Sequence, residues 1–161
     1  MSRKKIIYID MDGVIVNLKD HITEYCEQFP RMRETYGEEM DLIPGIFRNP
    51  KPIDGAIEAI KKLHESGKYE LFIATSASWG NPDAATDKRY WIETYFGDLF
   101  HKKMFITHRK DLLQGDYLID DREKNGAGEF KGELLLFGYN HITDSMNKYK
   151  NWDEILKYLL D

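Results

Sequence analysis

The sequence predicts an α/β fold in which a doubly wound parallel sheet, a Rossmann-like core, is covered by helices. Short apolar runs that suit buried strands alternate with stretches whose apolar residues recur at helical spacing. This alternation is typical of parallel strands joined by right-handed crossovers. The length of 161 residues suits one domain with a small insertion. The predicted strands are residues 6–9, 71–74, 104–106, 117–119 and 134–137.

Three helices of the core are predicted from apolar faces between and after these strands. The first covers residues 57–64, with Asp54 as its N-cap and Gly67 as its stop. The second covers the apolar residues 91–96, and the third lies at the C-terminal end of the chain, at residues 152–159.

Residues 18–52 interrupt this alternation. Helix-spaced apolar residues at 22–29 are followed by a charged segment and several prolines. Because the stretch directly follows the first predicted strand, we expect a small helical cap inserted into a core made of residues 1–17 and 53–161. Such lids exclude water and select substrates. The alternative is a long first crossover without a role as a lid.

Composition excludes several classes of function. The net charge of −5 argues against binding of polymeric nucleic acid through phosphate attraction, and no apolar stretch has the length of a membrane span. Cys26 is the only cysteine, which excludes an internal disulfide and a cysteine zinc cluster. We expect a cytoplasmic monomer or homodimer. Two basic clusters, at residues 101–103 and 108–110, are interpreted as solvated surface.

Two carboxylates, Asp10 and Asp12, follow the first predicted strand. At the carboxyl end of a strand in an open α/β sheet, side chains two positions apart point into the region where ligands bind. One acid can attack phosphorus while the other moves protons, with Mg²⁺ between them and the phosphate. Gly13 permits a tight exit from the strand. The alternative is an acidic turn in solvent.

A hydroxyl pair and a lysine form the second and third candidate groups. Thr75 and Ser76 follow the second predicted strand, where a hydroxyl can donate to a phosphate oxygen, although turn and capping roles fit equally well. Lys88 lies three and four positions before Trp91 and Ile92, on the apolar side of its helix. It either extends to water along this face or meets an anion.

The fourth group is the pair of acids Asp120 and Asp121, which follows the fourth predicted strand. Adjacent carboxylates repel each other unless a cation is present, and Mg²⁺ prefers such oxygen ligands. The alternative is an ion pair on the surface between Asp121 and Arg122.

These four groups, in this order, resemble the motifs of the haloacid dehalogenase superfamily of phosphotransferases. The resemblance is greatest to its 5′(3′)-deoxyribonucleotidase branch and rests on residues 10–14, 72–76, 88–97 and 118–122. The stretch 88–97 is the most specific because general phosphatases of the superfamily lack it. Residues 52–56 also resemble the return from cap to core in this branch.

The resemblance implies a phosphatase that forms a transient aspartyl-phosphate. Asp10 would be the nucleophile and Asp12 the general acid and base. Thr75, Ser76 and Lys88 would bind the phosphate.

The same resemblance implies Mg²⁺ as cofactor. The ion would be held by Asp10, the backbone carbonyl of Asp12, and Asp121. Asp120 would support the ion indirectly or through water, and either acid of the pair is open as the direct ligand.

The substrates implied are deoxyribonucleoside monophosphates. The cap is shorter than in the animal enzymes of this branch, so that Phe29, Tyr36 and Phe47 are unassigned candidates for base stacking. The alternatives are a phosphatase for another small metabolite such as a sugar phosphate, a phospho-accepting module of the receiver type, and a silent nucleotide-binding relative. Receiver domains carry their paired acids before the acceptor aspartate, which is the reverse of the order here.

Overall fold

The computed structural model describes residues 3–161 and is built around a five-stranded parallel sheet. The strand order is β3-β2-β1-β4-β5, so the chain leaves β1 towards one side and returns to its other side. This arrangement confirms the predicted α/β class and all five predicted strands. The strands are β1 (Lys5–Ile9), β2 (Tyr69–Thr75), β3 (Met104–Ile106), β4 (Tyr117–Asp120) and β5 (Glu133–Leu136).

Three helices contribute to the main hydrophobic core. They are α3 (Ala56–Glu65), α4 (Ala84–Phe96) and α5 (Trp152–Leu160). The bounds of α3 and α5 are close to the prediction, whereas α4 begins well before the predicted stretch 91–96. Their buried residues pack with alternate residues of the central strands, because side chains of a strand point to opposite faces of the sheet. Within residues 3–161, no helix combines the length and apolar character that crossing a membrane requires.

The other face of the sheet is covered differently. Tyr8, Ala74 and Leu118 form a smaller cluster there with Ala127 and Phe130. Ala127 begins a 3₁₀ helix, Ala127–Glu129, and a second 3₁₀ helix covers Lys110–Leu112. These short elements therefore lie beside the carboxyl end of the sheet.

The start of α3 differs from the prediction. Gly55, not Asp54, is the N-cap residue, and no side chain caps the helix. Gly55 has a φ of 78°, a left-handed conformation that glycine adopts without steric cost. The backbone conformation at the glycine therefore sets the entry into α3, and the Asp54 carboxylate has no part in it.

Residues 18–52 contain two helices, α1 (Leu18–Gln28) and α2 (Arg31–Tyr36), and a 3₁₀ helix, Met40–Leu42. The two ends of this segment lie side by side, since the Asn17 N–H donates to the Lys51 carbonyl at 2.8 Å. The segment has a hydrophobic cluster of its own. The cluster includes Cys26, Met40, Ile43, Ile46, Phe47 and, from α4, Ala84.

A two-stranded hairpin that the sequence analysis did not predict follows β5. Its strands are β6 (Tyr139–Asn140) and β7 (Ser145–Met146), which pair antiparallel. Strands of two residues carry too little alternation to be recognised by hydrophobic pattern. The hairpin is relevant to the site because His141, which lies in the turn between β6 and β7, lines the cavity at the carboxyl end of the sheet.

Candidate active site

The sheet brings the first acidic motif and the acid pair together. Ile9 aligns with Ile73 of β2 and with Ile119 of β4, so Asp10 emerges between the ends of these strands. This point is where the chain reverses its direction across the sheet, and open α/β sheets bind ligands there. A cavity of about 630 Å³ opens at this place.

Asp10 is held by a lysine that the sequence analysis did not select. The Lys110 Nζ lies 3.0 Å from Asp10 Oδ1 and 2.7 Å from Asp120 Oδ2, and the residue is buried. Burial by itself would lower the pKa of Lys110, but the two carboxylates outweigh it and raise the pKa above its ordinary value. The side chain is therefore a permanent cation between two acids.

The interpretation of residues 108–110 as solvated surface is wrong for Lys110. The residue begins the 3₁₀ helix after β3, where its backbone N–H donates to the Asn125 carbonyl at 2.7 Å. Gly126, with a φ of 81°, makes this approach possible, since a Cβ there would overlap Lys110 and Asp111. A conspicuous Gly126 close to the acid pair was the only local signal of this contact.

Lys88 is the second buried lysine and holds Asp12. Its Nζ lies 2.9 Å from Asp12 Oδ2, 2.9 Å from Thr75 Oγ1 and 2.7 Å from the Ser76 carbonyl. The Phe47 ring covers the ammonium group at 4.9 Å. Lys88 is 3% exposed, so the alternative in which it extends to water is wrong.

The second oxygen of Asp12 is left without a partner. Lys88 takes Oδ2, whereas Oδ1 is buried and has no hydrogen-bond partner among the described residues. A buried unpaired carboxylate oxygen is costly unless something else completes it. The Asp12 side chain as a whole is partly exposed and lines the cavity, where a bound molecule would lie.

Thr75 and Ser76 lie at the end of β2, beside the first acidic motif. Thr75 is fully buried, and its hydroxyl is fixed by Lys88. The Ser76 hydroxyl accepts from the Asn125 side-chain amide at 3.3 Å and lines the cavity. Ser76 and Lys88 line the cavity, whereas Thr75 does not, because its buried hydroxyl accepts from Lys88 and donates to the Ser76 carbonyl at 3.2 Å.

Three carboxylates lie close together in the same cavity. Asp10, Asp120 and Asp121 each offer an oxygen, and these atoms lie within 4.8 Å of one another. Desolvation, reinforced by the neighbouring acids, raises the pKa of Asp120 to about 7 and that of Asp121 to about 9. Such a set of oxygen ligands fits a hard divalent cation such as Mg²⁺, which would relieve the repulsion.

The position of Asp121 depends on two neighbours. A Cβ at Gly13, whose φ is 79°, would overlap the Asp121 carboxylate. The Asn147 amide, which sequence analysis did not identify, donates to the Asp121 carbonyl at 2.8 Å. Arg122 lies within 4.0 Å of no carboxylate in residues 3–161, so the surface ion pair with Asp121 is not formed.

The remaining wall of the cavity comes partly from residues 18–52. Leu18, Ile22 and Phe47 supply an apolar surface there. Of the three aromatic candidates, Phe47 lines the cavity, whereas Phe29 stacks on Tyr25 at 4.9 Å and is 43% exposed. Tyr36 packs against the cluster of the inserted segment.

Comparison with known proteins identifies relatives along nearly the whole chain. Residues 21–160 match the family described as 5′ nucleotidase, deoxy (pyrimidine), cytosolic type C. A protein of Vibrio phage KVP40, provisionally named a 5′(3′)-deoxyribonucleotidase, is 39% identical over 97% of this chain and 85% of its own length. The 5′(3′)-deoxyribonucleotidase of Bacillus subtilis is 28% identical over 98% of this chain and 99% of its own.

Solved structures share the fold at low identity. A haloacid dehalogenase-like hydrolase of Xanthomonas campestris superimposes with a TM-score of 0.63 at 11% identity, covering 100% of this chain and 97% of its own. A hydrolase of the same type from Bacillus subtilis, described as bound to magnesium, has a TM-score of 0.61 at 12% identity, covering 99% of this chain and 100% of its own.

Proposed function

We propose that this chain, which belongs to the 5′ nucleotidase, deoxy (pyrimidine), cytosolic type C family, hydrolyses deoxyribonucleoside monophosphates through a phosphoryl intermediate on Asp10. The chain is a phosphatase of the nucleotide type with a haloacid dehalogenase fold. The names of its relatives support deoxyribonucleotides as substrates. The family description also supports a cytoplasmic location.

One observation carries the proposal: two aspartates share a cavity, and each has a buried lysine of its own. Lys110 is anchored on Asp10, and Lys88 is anchored on Asp12. A fixed cation beside each acid offsets the negative charge that a phosphate dianion brings into a site already rich in carboxylates. An acidic turn in solvent would need no such arrangement.

In the first step, a carboxylate oxygen of Asp10 attacks phosphorus and the bond from phosphorus to the leaving oxygen breaks. Asp12 gives its proton to that oxygen, so that the alcohol leaves neutral. The position of Asp12 supports this role, because its side chain lines the cavity and Lys88 holds one of its oxygens.

In the second step, Asp12 takes a proton from water as the water oxygen attacks the phosphoryl group on Asp10. The bond between Asp10 and phosphorus then breaks, and inorganic phosphate and the free carboxylate are restored. Lys88 and the Ser76 hydroxyl stabilise the phosphoryl oxygens in both steps, through charge and a hydrogen bond, and Thr75 helps to hold Lys88 in place.

The three carboxylates of Asp10, Asp120 and Asp121 would hold Mg²⁺, together with the backbone carbonyl of Asp12. Bound Mg²⁺ supplies positive charge to the phosphate and keeps the acids ionised. Lys110 bridges two of these acids, and its role is to hold them in place.

Residues 18–52 act in this proposal as the cap that covers the cavity. Asn81, buried in the loop before α4, donates to the carbonyls of Asp41 and Ile43 at 3.0 and 3.1 Å. The Trp91 indole N–H donates to the Pro50 carbonyl at 2.7 Å. The cap is thereby attached to α4, the same helix that carries Lys88.

The test is hydrolysis of a substrate panel with Mg²⁺ and with a chelator. We expect deoxyribonucleoside monophosphates to be hydrolysed faster than ribonucleotides and sugar phosphates, and activity to disappear when the metal is removed. Asp10→Asn should abolish turnover and leave the folded state intact, and a matched exposed acid, Asp54→Asn, should retain turnover. Full activity of Asp10→Asn would exclude Asp10 as the nucleophile.

A further inference from the structure

The cavity continues beyond the phosphate end, and its outer wall is basic. Lys19 of α1, Arg122 and Lys124 of the loop after β4, His108 after β3 and His141 of the hairpin all line it. These residues come from four separate parts of the chain. Apart from the four site acids, the described lining holds one further acid, Asp41, against these five basic residues, although the chain as a whole carries 28 acidic and 23 basic residues.

The three permanent cations of this wall have no acidic partner within residues 3–161. Lys19, Arg122 and Lys124 are exposed, and none lies within 4.0 Å of a carboxylate in the described part of the chain. The two lysines at the inner end, in contrast, are both ion-paired. The outer cations are therefore available to a bound molecule.

Lys19 lies beside the hairpin, because its Nζ is 5.7 Å from the centroid of the Tyr139 ring, and the Tyr139 and His141 rings are 4.9 Å apart. Burial lowers the pKa of His141, and the positive charges of Lys19 and Arg122 lower it further. Lys19 occupies the first turn of α1, where the helix dipole disfavours a cation. A bound anion at the cavity mouth would offset the repulsion among these positive charges. It would also offset the unfavourable interaction of Lys19 with the helix dipole.

We propose that the preferred substrates are deoxynucleoside 3′,5′-bisphosphates, with one phosphate attacked by Asp10 and the other held by Lys19, Arg122 and Lys124. This inference rests on the proposed function. The inner end already has a complete set of groups for one phosphoryl group. A second, separate set of unpaired cations in the same cavity fits a second anion on the same molecule.

The two phosphates of such a substrate are joined through a single sugar, and one continuous cavity holds both sets of groups. The apolar surface of Leu18, Ile22 and Phe47 lies in the same cavity and is free for the base. Hydrolysis consumes one water and breaks one phosphate ester bond. The products are inorganic phosphate and a deoxynucleoside monophosphate.

The experiment compares kcat/KM for thymidine 5′-monophosphate and thymidine 3′,5′-bisphosphate, using the full chain with Mg²⁺. We expect the bisphosphate to be favoured by at least about tenfold, the smallest effect of a hydrogen bond to a charged group. The presence of two hydrolysable phosphates explains only about twofold of such a preference. A 5′-phosphorylated dinucleotide, whose second anion is a diester, tests whether the second group must be a monoester.

Variants test whether the outer cations cause the preference for the bisphosphate over the monophosphate. Lys19→Gln and Lys124→Gln should each lower kcat/KM for the bisphosphate more than for the monophosphate, so that the ratio falls towards one. Lys61→Gln, an exposed lysine on α3 far from the cavity, should keep the wild-type ratio. Equal losses with both substrates would mean general attraction of anions and would overturn the inference.

The two proposals fail in different ways. A wild-type protein that hydrolyses the monophosphate as well as the bisphosphate, or better, refutes the second phosphate site and leaves the deoxyribonucleotidase function standing. A protein that hydrolyses no deoxyribonucleotide refutes the proposed function, and the inference about bisphosphates with it.

Discussion

Replacement of Lys110 by methionine tests the electrostatic account of the site most directly. Methionine keeps the length and much of the volume of the side chain but removes its charge. The lysine contacts Asp10 at 3.0 Å and Asp120 at 2.7 Å, and it is 3% exposed. Both acids would then be buried without a cation.

The expected cost follows from that geometry. Removal of one partner of a buried ion pair typically destabilises a protein by about 3–5 kcal/mol, and Lys110 serves two acids. We therefore expect the free energy of unfolding to fall by at least about 3 kcal/mol at pH 8 without metal. The loss should be smaller at pH 5, because Asp120, with a pKa already raised to about 7, is then protonated.

Urea denaturation followed by circular dichroism measures this loss. Lys61→Met, an exposed lysine on α3, is the matched control and should change the free energy of unfolding by less than about 0.5 kcal/mol. Added Mg²⁺ should restore part of the stability of Lys110→Met, because a cation that binds only the folded state stabilises it. Equal midpoints for Lys110→Met and Lys61→Met at pH 8 would refute the role of Lys110.

Two further predictions concern the acids themselves. The metal-free wild type should lose stability as pH rises from about 4 to 9, because the folded-state pKa values of Asp120 and Asp121 are raised to about 7 and about 9. The loss of unfolding free energy is at most about 4 kcal/mol for Asp120. Saturating Mg²⁺ should flatten the profile of unfolding free energy against pH. An equally steep profile with Mg²⁺ would contradict metal binding at these acids. Gly13→Ala should weaken Mg²⁺ binding by more than about tenfold in calorimetry, because its Cβ would displace the Asp121 carboxylate. Gly45→Ala, at the same φ of 79° but with open space around it, carries the same backbone strain and should bind Mg²⁺ normally.

The sequence was sufficient to predict the elements that depend on local residue patterns. The central strands β1, β2 and β4 contain short apolar runs, because a strand buried on both faces needs apolar side chains along most of its length. Polar residues at the ends of β1, β2 and β4 then mark the edge where ligands bind. This reasoning selected Asp10, Asp12, Ser76, Asp120 and Asp121, which line the cavity, and Thr75, which lies behind it.

Contacts between distant residues could be found only in the tertiary structure. Lys110 lies 100 positions from Asp10 and stands in a basic stretch whose neighbours are exposed, so the local pattern indicated a surface. Whether Lys88 extends to water or meets an acid was likewise undecided until the end of β2 and the start of α4 were placed side by side. Hydrophobic periodicity reports burial of apolar side chains, and it carries no information about buried charges, whose partners are set by packing. The sequence by itself therefore determined the sheet, the acids and the hydroxyls, and the tertiary structure decided which cation each acid receives.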